Sequence, residues 1–152
     1  YDLERAKTVT IDNPYGYLYW NPDATPGYRL KGHGRAFFWA QMLMGDSADH
    51  VKGILKLDGK NCGEAAAFAA LRDFTTEQDA ANYVCRAYAS INQNVLAEAE
   101  MLWLRRSETD SAYDYLMEVV TDDAILGWLM QLNEYHKAHM KWVEEQDSDG
   151  HC

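Results

Sequence analysis

The segment from Phe37 to Ala70, FFWAQMLMGDSADHVKGILKLDGKNCGEAAAFAA, constrains the fold more than any other part of the chain. It opens as an aromatic-rich stretch without Pro, and Gly45 marks the end of a helix. Asp46 and Asp49 follow, three residues apart. A hairpin bearing glycines and lysines is expected from Gly53 to Gly63, and an alanine-rich helix over 63–72 closes the unit. The small side chains of that helix let another backbone approach closely. No other part of the chain brings carboxylates, glycines and lysines together so densely.

The rest of the pattern is mostly helical. Residues 6–20, with Thr8, Thr10, Tyr17 and Tyr19 around the turn signal Asp12–Gly16, predict a small N-terminal β-hairpin. Residues 21–34, rich in Pro and Gly, predict a loop whose basic end (Lys31, His33, Arg35) reads as solvated charge. Helices are expected over 35–44, from a cap at Thr75 or Thr76 to Ile91, over 95–106 and over 112–120. The last and longest should run from a cap at Thr121 or Asp122 to near Gln146, with 147–152 frayed. In it Ile125, Trp128, Leu129, Leu132, His136, His139 and Val143 form one stripe. His136 and His139 therefore read as core or edge packing rather than zinc ligands, and the five tryptophans as core rather than base-stacking platforms. The fold class is mostly α, a helical domain with a small N-terminal β-hairpin.

Length suits one domain, and 47% hydrophobic with 12% aromatic residues argues for a packed globule rather than disorder. No window approaches the apolar length of a membrane span. Three cysteines without a CxxC pair fit free thiols in a reducing, cytoplasmic setting. The chain begins at Tyr1 with neither an initiator Met nor a signal-peptide pattern, which reads as a fragment or processed piece. The net charge of −10 is unevenly spread. Residues 1–106 carry 12 Lys and Arg against 13 Asp and Glu, whereas 107–152 carry only Lys137 and Lys141 against 11 acids. A uniformly acidic chain would repel nucleic acid; a near-neutral front with local lysines does not.

Asp46 and Asp49 can face one point and share a hard cation such as Mg²⁺ or Mn²⁺. Taken alone, the pair reads rather as a helix cap at Asp46 and a turn residue at Asp49. A two-metal phosphodiester-cleaving site needs more oxygen ligands than two carboxylates supply. Gly53 to Gly63, with Lys52, Lys56 and Lys60, can present backbone N–H groups and positive charge to DNA phosphates.

With these residues in view, GDSADHVKGILKLDG…CGEAAA resembles the segment GDSSDNIPGVPGIGPKTA of the 5′→3′ exonuclease and flap endonuclease family, in its bacteriophage form. FFWAQMLMGD is similar to the helix that leads into that family's aspartates. The resemblance spans roughly 1–106 and is specific over 36–70. It implies a metal-dependent hydrolase of DNA replication, in which Asp46 and Asp49 help hold the second Mg²⁺ or Mn²⁺. It also implies that Lys52, Gly53, Lys56, Gly59, Lys60 and Gly63 belong to a helix–hairpin–helix gripping duplex or flap DNA, often with a bound K⁺. On this reading 1–106 is the end of a nuclease core with its DNA-binding region, and 107–152 an acidic helical extension packed on the same domain, with host cytoplasm as the setting. The chain departs from the family at His50, usually Asn, at Lys52, usually Pro, at Ala65, commonly Lys, and in a longer hairpin. The family's other metal-binding carboxylates belong to a preceding N-terminal core, so no complete active site is expected in this chain. A second reading, from a different class, is a non-catalytic acidic helical module that binds a replication partner or imitates DNA.

Overall fold

The computed structural model describes residues 14–24, 28–48, 50–103 and 111–150, the side chains of 140, 143, 144 and 146–150 excepted. Two strands, β1 (Tyr17–Trp20) and β2 (Leu30–His33), precede α1 (Arg35–Met44), α2 (Glu64–Leu71), α3 (Glu77–Ser90), α4 (Val95–Leu102), α5 (Ala112–Val119) and α6 (Asp123–Gly150). The class is the expected one, mostly helical with a small antiparallel pair in front. The pairing is not. β1 runs against β2 with Tyr17 opposite His33 and Trp20 opposite Leu30, so the end of the expected loop is a strand. Leu30 is fully buried and anchors β2 to the core. Residues 6–13, the other half of the expected hairpin, lie outside the described residues. Arg35 is not a solvated charge either. Its guanidinium sits 4.4 Å from the Tyr115 ring centroid and 4.8 Å from that of Trp103, with Glu77 at 3.7 Å.

The core is centred on α1, whose Ala36, Trp39, Ala40, Met42 and Leu43 are buried. Tyr115, buried on α5, accepts a bond from Trp39 Nε1 (3.3 Å) and donates to Glu77 (2.8 Å). Burial, with the Glu77 carboxylate beside it, pushes its phenol upward. A helix end inside a core must find partners for its last carbonyls. In α1, Gln41 O takes the Gly45 N–H, Leu43 O takes the Ile54 N–H, and Met42 O takes the Tyr88 hydroxyl. The caps of the later helices are the expected residues: Thr76 accepts from Asp79 N–H, and Asp122 from the N–H groups of Ala124 and Ile125. Arg86 bonds the Asp122 carboxylate at 2.7 Å and, as the largest cause, holds it below its ordinary range. Ala112, Leu116, Val119, Ile125 and Leu129 complete the same core, which joins the acidic extension to the front of the chain.

Two helix ends differ from expectation. α4 stops at Leu102, where Trp103 turns to an extended backbone; Arg105 and Arg106 lie outside the described residues. α6 continues through Gly150, past Gln146 and into the stretch expected to fray. Its apolar stripe leaves the core after Leu132. His136 and His139 are exposed rather than packed, and Trp142 is 56% exposed, so not every tryptophan is core. Helical periodicity placed these residues on one face, but the core ends before the helix does. Among the described residues no helix is long and apolar enough to cross a membrane.

Candidate nucleic-acid interface

The connection between α1 and α2 contains two successive tight turns, where one hairpin over 53–63 was expected. The first closes between Asp46 and Val51, whose backbones exchange bonds of 2.8 and 2.9 Å. The second closes between Leu57 and Lys60 with bonds of 2.7 and 3.0 Å. Its central residues, Asp58 and Gly59, both have positive φ, 52° and 81°, the pattern of a type I′ turn. Asp-Gly favours that turn because both residues tolerate the left-handed region.

What holds this connection in place is backbone packed on backbone. Gly45 and Gly53 have φ of 79° and 75°, and a Cβ built on Gly53 would lie 2.5 Å from Gly45 N. Gln93, in the break after α3, fixes the stretch that follows. Its side chain donates to Gly53 O (2.9 Å) and accepts the Leu55 N–H (2.8 Å), as a neighbouring strand would. The far end is set by Glu64, the first residue of α2, whose carboxylate accepts the N–H groups of Arg29 and Leu30. Gly63, the N-cap of α2, makes no side-chain capping bond, and the net effect is a fixed, exposed helix start beside the second turn.

The predicted site residues divide accordingly. Lys52, Lys56, Gly59, Lys60 and Gly63 are exposed. Lys56 Nζ donates to Asn61 Oδ1 at 2.7 Å, across the base of the second turn. Gly53 is buried, with its backbone packed against that of Gly45. Asp46 is half-buried, and its carboxylate accepts the Ala48 N–H (3.0 Å) and the Gln41 side-chain amide (3.2 Å). Asp49 lies outside the described residues. Among the described residues no three His, Cys, Asp or Glu side chains form a metal-ligating group. The Asp46 carboxylate keeps lone pairs beyond those two bonds, which fit a fraction of a hard cation's shell, not a whole one.

Sequence reasoning missed three features. Gln93 and Glu64 act on backbone 34 to 40 residues away, and no local pattern signals such partners. Beside the second turn lies an open groove of about 510 Å³, lined by Lys56 and Asp58 on one side and by Phe74, Tyr83 and Arg86 on the other. The Phe74 and Tyr83 rings are 5.6 Å apart, and burial, then the Asp58 charge, raises the Tyr83 phenol above its ordinary value. Cys62 and Cys85 are free thiols, as expected; Cys152 is outside the described residues. No family model, curated protein or solved structure matches this chain.

Proposed function

We propose that this chain holds duplex or flap DNA through the α1–α2 connection, as the C-terminal part of a 5′→3′ exonuclease or flap endonuclease. The observation that carries the reading is a connection fixed from within and charged without. Gly45 packs on Gly53 and Gln93 clamps 53–55, while Lys52, Lys56 and Lys60 are all exposed along it. A rigid backbone with lysines four residues apart suits repeated phosphate contacts, which position a protein on DNA without reading its sequence. The exposed start of α2 adds N–H groups at Gly63 and Ala65 to the same surface. On this reading the connection works as a helix–hairpin–helix, with K⁺ as an added ligand of its backbone.

Catalysis is proposed only for the complete enzyme. There Asp46 and Asp49 would supply part of the shell of Mg²⁺ or Mn²⁺, and the ion would polarise the phosphodiester. Within this chain Gln41 and the Ala48 N–H aim the Asp46 carboxylate. In the joined protein Asp46→Ala or Asp49→Ala should cut turnover by orders of magnitude and leave DNA affinity within about twofold. Full cleavage by either variant would remove the metal role.

A further inference from the structure

α6 outruns the core it packs on. From Asn133 to Gly150 it is a projecting helix about 27 Å long. Helices of that kind owe their stability mainly to packing of an apolar face, and this one has such a face. Trp128, Leu132, Tyr135, His139 and Trp142 recur at steps of four, three, four and three, the average of 3.5 that makes a seam between paired helices. Leu132 is half-buried at the edge of the core, whereas Tyr135 and Trp142 are 69% and 56% exposed. The rings are stacked along the helix, with Tyr135 to His139 at 6.4 Å and His139 to Trp142 at 6.2 Å.

The charges along the projection say what would cover that seam. Residues 133–142 carry Lys137 and Lys141 against Glu134 alone, while residues 144–149, EEQDSD, carry four acids and no Lys or Arg. Among the described residues Lys137 pairs with Glu134 at 4.0 Å, an exposed contact that holds it weakly. A parallel copy of the same helix would set acid against acid. An antiparallel copy crossing between residues 140 and 141 sets Lys137 opposite position 144, the start of the acidic stretch, twice over, and His139 opposite Trp142 of the second copy. We propose that the projecting half of α6 is a self-association surface, pairing antiparallel with the same segment of a second copy of this chain. A two-fold, isologous contact of this kind closes on itself as a dimer. The proposal does not rest on DNA binding.

Sedimentation equilibrium of the whole chain over micromolar concentrations tests it. The expected result is a monomer–dimer equilibrium that weakens as salt is raised, because attraction between opposite charges is screened. Tyr135→Ala/Trp142→Ala and, separately, Lys137→Glu/Lys141→Glu should each weaken it by at least about tenfold. All four residues are exposed, so circular dichroism should still report the folded core. A monomer throughout overturns the proposal, as does a dimer indifferent to the ring substitutions. Association that strengthens with salt or survives the lysine reversals overturns the antiparallel arrangement.

Discussion

Gly53→Ala should be far more damaging than the same substitution at Gly59. Both residues sit in the left-handed region, φ +75° and +81°, so both replacements carry a backbone cost of about 1 kcal/mol. Their surroundings differ. The new methyl at 53 would meet Gly45 N at 2.5 Å, Leu43 O at 2.6 Å and Met44 C at 2.9 Å, all backbone that no rotamer change can move aside. Parting the two segments amounts to overpacking a tight contact, about 1–3 kcal/mol more. At Gly59 a Cβ meets nothing within 4 Å. The expected losses are thus about 3 kcal/mol at 53 and about 1 kcal/mol at 59, the first a large share of a domain's total stability. Urea melts followed by tryptophan fluorescence measure both, since Trp39 is fully buried within the perturbed helix α1. Two variants equal within about 0.5 kcal/mol would refute the claim that the Gly45–Gly53 contact fixes the connection.

Three further outcomes follow from named contacts. Tyr88→Phe leaves the Met42 carbonyl without the hydroxyl that caps it, which should cost about 1–3 kcal/mol in the same melts; a neutral result would mean water replaces it. Gln93→Ala removes both bonds to 53–55, so amide exchange at Leu55 should quicken by more than about tenfold while the α3 core amides keep their protection. Burial pushes the Cys62 thiol up to about 11 and Cys85 to about 12. In a Cys152→Ser background, alkylation should therefore be slow at neutral pH, and at Cys62 it should accelerate as pH rises toward that value, where thiolate forms. Rapid labelling of Cys62 at neutral pH would contradict its burial.

Much of the helical order was legible because its signals are local. Gly45, Thr76 and Asp122 end or begin helices through bonds within a few residues of themselves. Strand β2 was not, because Gly32 and Gly34 read as loop residues while the burial of Leu30 and the pairing with β1 are tertiary facts. The same limit applies to α6. Spacing marks which residues share a face, but whether His139 and Trp142 are covered depends on where the core stops. In the connection, the lysines and glycines were evident, yet Asp-Gly at 58–59 makes its own turn, separate from the one at 46–51. The residues that immobilise the connection, Gln93 and Glu64, reach it from other elements and carry no motif. Arg35 likewise looked solvated until Trp103 and Tyr115 were placed against it.

The claim that this connection holds DNA is tested most directly by titrating a fluorescent flap or nicked duplex with the whole chain at several salt concentrations. Micromolar or tighter binding at low salt is predicted, with Lys52→Ala, Lys56→Ala and Lys60→Ala each weakening it and each lowering the log–log salt slope by about 0.9. No binding at low salt, or binding whose slope in all three variants equals that of the unsubstituted chain, would contradict it.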